Sequence, residues 1–127
     1  MMKSACVLIG VLALGIQGVQ ADDKLLAKGK TIYNGIGACA SCHGPEGKGD
    51  GAASAALNPK PRSFAAGDFV YDPDKDGKKG TGSDISAIIT NGAAKYGGSP
   101  LMAARPDIKG DDLKALVAYV KSLKKAK

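Results

Sequence analysis

Five consecutive residues, Cys39-Ala40-Ser41-Cys42-His43, constrain this chain more than anything else in it. Two thiols three positions apart lie close to one helical turn from each other on one side of the backbone. The next residue carries an imidazole. This C-x-x-C-H spacing is the attachment signal for a c-type haem, in which the thiols reach the two vinyl groups on one porphyrin edge while the imidazole turns onto the iron. The rest of the chain excludes the competing uses of a C-x-x-C pair. His43 is the only histidine and Cys6 the only further cysteine, so a four-ligand Cys/His zinc site cannot be assembled. A redox dithiol of the thioredoxin kind needs a βαβ surround, whereas the flanks here are helical in pattern and rich in glycine. One haem c, bonded to Cys39 and Cys42 with His43 as an axial ligand, is therefore expected.

The first residues read as an export leader. Lys3 supplies a positive start, Val7 to Ile16 an apolar stretch, and Val19-Gln20-Ala21 a small-x-small cleavage pattern, which places cleavage after Ala21 and the location in the periplasm. A span of roughly 20 apolar residues would be needed to cross a membrane, and Gln17 and Gln20 interrupt the run before that length. Two units follow: residues 1–21 as signal peptide and 22–127 as one small domain. Cys6 leaves with the leader, and the two remaining thiols are consumed by haem, so no disulfide framework is expected in spite of export.

Charge narrows the partners. The chain carries 18 Lys and Arg against 12 Asp and Glu, a net charge of +6, of which the leader removes only Lys3. The lysines are scattered and not interleaved with aromatic residues, which speaks against a nucleic-acid groove and for docking to acidic surfaces of redox partner proteins. With two Phe, four Tyr and no Trp, the chain is short of bulky core residues, and a buried haem would supply the missing apolar contact.

Spacing predicts an all-α chain. Asp22-Asp23 ahead of Leu25, Leu26, Gly29, Ile32, Tyr33 and Ile36 predicts a first helix that runs into the haem motif, with acids at its start. Gly29 inside it costs about 1 kcal/mol relative to Ala, so a close helix crossing is expected there as the offset. Gly44 to Gly51 is a loop by composition, Ala52 to Leu57 a short helical turn, and Asn58-Pro59-Lys60-Pro61 extended backbone. Ser83-Asp84 predicts the cap of a helix through Ile85, Ile88 and Ile89 that stops at Asn91-Gly92. A loop from Ala93 to Ile108 follows, unusually long for so small a domain. Asp111 to Lys124 predicts the last helix, with Leu113, Leu116, Val117, Val120 and Leu123 on one face, acids at its start and lysines at its end.

Asp72-Pro73-Asp74-Lys75-Asp76-Gly77 has the D-x-D-x-D-G opening of a calcium loop. Such a loop closes on a bidentate acid at its twelfth position, which here is Ser83. A solvated turn is the expectation.

A second axial ligand follows by elimination. Haem iron takes His or Met opposite a proximal His, no second His exists, and Met102 is the only methionine beyond the leader. Met102 is the expected sixth ligand, in a loop stiffened by Gly and Pro.

With Cys39, Cys42, His43 and Met102 in place, the chain resembles the class I c-type cytochromes, small monohaem electron carriers of bacterial periplasms, over nearly all of residues 23 to 124. Gly29 and Tyr33 match the glycine and aromatic residue on that family's first helix, and Leu116 with Tyr119 the pattern on its last. The resemblance implies three to five helices wrapped around one haem, and a proline carbonyl, from Pro59 or Pro61, accepting the proximal imidazole's N–H. The stretch from Phe64 to Gly82 is longer than in the shortest members. Arg62, Tyr71 and Tyr96 are candidate propionate contacts, beside ordinary surface or packing roles.

The expected function is that of a soluble, monomeric electron shuttle, not an enzyme, with both axial positions filled. The alternative is a haem c subunit of a larger dehydrogenase or oxidase complex. An open-iron enzyme or gas sensor is the third reading, and it requires that Met102 not bind.

Overall fold

The computed structural model describes residues 17–126, and Lys3, Cys6 and the Val7 to Ile16 stretch lie outside them. Four α-helices carry the described chain, with no strands among these residues: α1 Gln17–Asn34, α2 Ala40–His43, α3 Gly82–Asn91 and α4 Gly110–Ser122. Two 3₁₀ turns, Ser54–Ala56 and Ala94–Tyr96, punctuate the connecting loops.

Helix α1 already includes Gln17, so Asp22 and Asp23 lie inside it and not at its start as the sequence predicted. Val19 to Ala21, the expected cleavage site, lies within it. The helix also ends sooner than its apolar spacing implied. Ile36 falls beyond the end of α1 and is 67% exposed, because the chain turns at Gly35 after the last helical residue, Asn34. The carbonyls left without intrahelical partners at this end are taken by the following segment: Gly37 N–H donates to Ile32 O at 2.8 Å and Cys39 N–H to Tyr33 O at 3.0 Å. The haem motif is thereby bolted to the end of α1.

Helices α1 and α4 cross at Gly29, as its place in the pattern predicted. A Cβ at this position would collide with the carbonyl of Ala115 and come within 2.6 Å of the Tyr119 Cβ. The two backbones approach so closely that only glycine fits. Around the crossing, Tyr33 meets Tyr119 edge to face with ring centroids 5.2 Å apart, a preferred aromatic geometry. Ile32, Tyr33, Ile108, Leu116, Val117 and Val120 form its buried core with Ile85 and Ile89 of α3. Each such side chain contributes about 1.5–3 kcal/mol on full burial. Lys28 and Asp112 add an ion pair at 2.7 Å across the crossing, on the exposed side, where such pairs contribute little.

Helix α3 is capped by Thr81, not by Ser83. Asp84 N–H donates to Thr81 Oγ1 at 3.2 Å, and Thr81 N–H donates back to Asp84 Oδ2 at 2.9 Å. This reciprocal box satisfies two otherwise orphaned donors and is made with an acid three residues after the cap, which Thr81 has in Asp84, whereas Ser83 has only Ser86. The stop at Gly92 is as expected. Helix α4 has Asp111 and Asp112 in its first turn and Lys121 in its last, the charge order its dipole favours, and it ends at Ser122, short of Lys124.

Candidate haem-binding site

The two thiols and the imidazole of the motif face one apolar cleft, whose space of about 1120 Å³ includes the open solvent at its mouth. Cys39, Cys42 and His43 line one side, Ile85, Ile88 and Ile89 of α3 form a wall, and Met102 lines the same cleft from the loop between α3 and α4. All four residues expected to hold haem thus border one space.

Local hydrogen bonding explains how α2, one turn long, holds its side chains. His43 N–H donates to Cys39 O and Gly44 N–H to Ala40 O, both at 2.9 Å. The loop after it closes back on the same turn, with Gly51 N–H donating to Cys42 O at 3.0 Å and Gly49 N–H to His43 O at 2.7 Å. Tyr33 OH, on α1, donates to Gly44 O at 2.7 Å in the buried interior. The motif is therefore tied to α1 and to the loop on either side of it.

Both thiols are free. Burial pushes the Cys39 thiol above its ordinary range, and the nearby Arg105 charge partly opposes this. The same Arg105 donates to Gly37 O at 3.0 Å and so braces the chain just ahead of the motif.

His43 Nδ1 lies 3.0 Å from the carbonyl oxygen of Arg62. A carbonyl can only accept, so Nδ1 carries the proton and Nε2 keeps its lone pair. The acceptor is the residue after Pro61, in place of the Pro59 or Pro61 carbonyl expected from the resemblance. The proline-stiffened segment delivers the next peptide group to the ring. Burial lowers the His43 pKa, the Arg62 hydrogen bond partly opposing it, which favours the neutral imidazole that metals bind. Phe64 stacks on the imidazole with centroids 4.3 Å apart and planes inclined by 20°, and Phe69 stacks on Phe64 in turn at 5.8 Å. Neither phenylalanine was singled out from the sequence. The available signal was that the only two Phe of the chain lie close together after the proline segment.

The long stretch from Phe64 to Gly82 has a place in this site: Phe64, Phe69, Val70 and Tyr71 line the cleft. Of the candidate propionate contacts, Arg62 and Tyr71 border it, with the guanidinium 5.9 Å from the Tyr71 ring centre. Tyr96 instead accepts a hydrogen bond from Asn91 Nδ2 at 2.9 Å and is not part of the lining. The Met102 loop is pinned by its backbone: Ala93 N–H donates to Met102 O at 3.1 Å, and Arg105 N–H to Ile89 O at 2.7 Å.

An apolar cleft walled by helices, with two free thiols and a neutral imidazole on one side, fits a covalently bound haem. The chain belongs to the cytochrome c family: the family model described as Cytochrome c matches residues 26–124. Its haem c is bonded through Cys39 and Cys42, and haem-based electron transfer is the activity the family implies. Among solved structures, the chain is similar to one from the Kuenenia stuttgartiensis reducing HAO-like protein complex Kustc0457/Kustc0458, with 29% identity and a TM-score of 0.61 over 81% of this chain. It covers 45% of that chain, less than half its length. No curated protein matches the sequence. No helix among the described residues is long and apolar enough to cross a membrane.

Proposed function

We propose that the protein is a soluble one-electron carrier of the periplasm, with His43 and Met102 as the two axial ligands and no reaction of its own to catalyse. Bound haem supplies a reversible ferric/ferrous couple. Every other part of the proposal rests on the chain. Cys39 and Cys42 hold the ring, and the Arg62 carbonyl fixes the His43 tautomer so that Nε2 is available to iron. The Met102 thioether favours the ferrous state, as does the apolar wall of Ile85, Ile88 and Ile89, and both raise the reduction potential. The single observation that carries this reading is that Met102 borders the same cleft as His43 while hydrogen bonds hold its loop in place. Export is argued from Lys3, the Val7 to Ile16 stretch and the cleavage pattern ending at Ala21. The positive net charge favours acidic partner surfaces.

Visible spectra test the ligand set. The ferric protein is expected to show weak long-wavelength sulfur-to-iron charge transfer and, when reduced, to resist carbon monoxide at neutral pH. Met102→Ala is expected to abolish both properties and lower the potential. A parent that binds carbon monoxide readily, with a spectrum unaltered by Met102→Ala, would replace this reading with the open-iron one.

The solved neighbour favours one second reading, since it comes from a protein complex: a haem c subunit held in a larger assembly. Size exclusion of a native extract separates the two. Elution near the monomer mass supports the free carrier, and elution with other polypeptides supports the subunit.

A further inference from the structure

A second cluster of side chains lies where the 64–82 stretch meets α3. Asp72, Asp74 and Asp84 each present a carboxylate oxygen, and the three oxygens lie within 4.8 Å of one another. Like charges this close repel. None of the ion pairs among the described residues reaches them. Asp84 makes the arrangement more costly still, being only 1% exposed. Its Oδ2 accepts from Thr81 N–H and Thr81 Oγ1–H in the cap of α3, whereas its Oδ1 is buried with no hydrogen-bond partner. Buried charges are ordinarily paired or bound to a metal. With Oδ2 committed to Thr81, the Asp84 oxygen still without a partner is Oδ1.

The loop supplies the remaining parts. Asp72, Asp74 and Asp76 occupy the first, third and fifth positions of a D-x-D-x-D-G loop, and Gly77 takes the sixth with φ of +84°. Asp72 accepts Gly77 N–H at 2.9 Å, which folds the loop around its first carboxylate. The twelfth position, Ser83, offers no carboxylate. Asp84 follows it immediately, and the first turn of α3 brings that acid to the loop from outside the motif's own count. In place of the acid missing from the twelfth position, the fold supplies one a residue later.

We propose that Asp72, Asp74 and Asp84 bind one calcium ion that fastens the 64–82 stretch to the first turn of α3. An all-oxygen, all-carboxylate set selects a hard cation. Oxygens within 4.8 Å of one another can share one ion at the 2.3–2.6 Å of calcium, and the D-x-D-x-D-G opening is that of a calcium loop. Loop carbonyls and water complete the six to eight ligands that calcium takes. The consequence falls on the haem cleft. Phe69, Val70 and Tyr71 line it from the stretch on one side of the ion, and Ile85, Ile88 and Ile89 line it from the helix on the other.

Calorimetry and thermal melting of the chelator-treated holoprotein with calcium chloride test this. One calcium per chain, bound below about 1 mM and accompanied by a higher melting temperature, is expected. Asp74→Asn, on the exposed loop, is expected to weaken binding at least tenfold with the visible spectrum unchanged. Asp84→Asn should do the same but also alters the cap of α3, so Asp74→Asn carries the test should that variant fold poorly. Asp111→Asn, on α4, should bind as the parent does. No heat and no melting shift at millimolar calcium would overturn the proposal, as would binding undiminished in Asp74→Asn or magnesium bound as tightly as calcium.

Discussion

His43 is held by Arg62 through a backbone carbonyl, with Nδ1 and the oxygen 3.0 Å apart. The Arg62 side chain is directed elsewhere, to Asp68 at 3.6 Å and over Tyr71. Since the peptide group provides the acceptor, side-chain replacement at position 62 does not remove it. The ring's orientation then depends on the face-to-face contact with Phe64.

Phe64→Ala is expected to loosen the imidazole without breaking its hydrogen bond. A stacked pair contributes about 0.5–1.5 kcal/mol beyond area burial. Phe69, which stacks on Phe64, would lose its own partner as well. The expected result is a lower melting temperature and broadened His43 ring resonances in the reduced protein, with both thioethers intact. Sharp, unshifted resonances would show that the stack does not position the ring.

Gly29→Ala tests the α1–α4 crossing. Alanine is intrinsically better in a helix by about 1 kcal/mol, yet the added carbon meets the Ala115 carbonyl and the Tyr119 side chain. Overpacking of this kind costs about 1–3 kcal/mol, and backbone on the opposing helix cannot swing aside as a flexible side chain would. Net destabilisation is expected, read as a drop of several degrees in the melting temperature. A stabilised variant would mean that the helices separate freely.

The parts of this fold legible in the sequence are those whose chemistry is confined to a local spacing. Cys39, Cys42 and His43 are read directly, the helix crossing follows from one misplaced glycine, and α4 follows from its apolar face. The Arg62 carbonyl was not legible, because every residue offers the same backbone acceptor and only the folded path after Pro61 selects one. Thr81 and Ser83 are both good caps on their own, and the choice turned on which of them has an acid three residues ahead. Ile36 fitted the helical period but lies past a turn that the period cannot show. Asp84 was hidden by counting: a motif read along the chain expects its last acid at a fixed position, whereas the carboxylate is carried to the loop by α3.

Tyr33 gives the fold a pH dependence whose sign can be worked out. Its hydroxyl is fully buried and donates to Gly44 O at 2.7 Å, and burial, first among the causes, raises its pKa far above the ordinary value near 10. In the unfolded chain the phenol ionises near that ordinary value, while in the folded protein it stays protonated. The folded state therefore binds the extra proton above pH 10, and stability falls as pH rises from there toward the folded-state value. Below pH 10 this contribution is fully present. Tyr33→Phe removes the ionisable group together with its hydrogen bond, at a cost of about 1 kcal/mol near neutral pH, and leaves the Gly44 carbonyl without its donor. Denaturant melts of the two proteins are expected to differ most at neutral pH and to converge as the solution becomes more alkaline. A gap that stays constant from neutral pH to beyond pH 10 would show that the Tyr33 proton is not what the alkaline fold depends on.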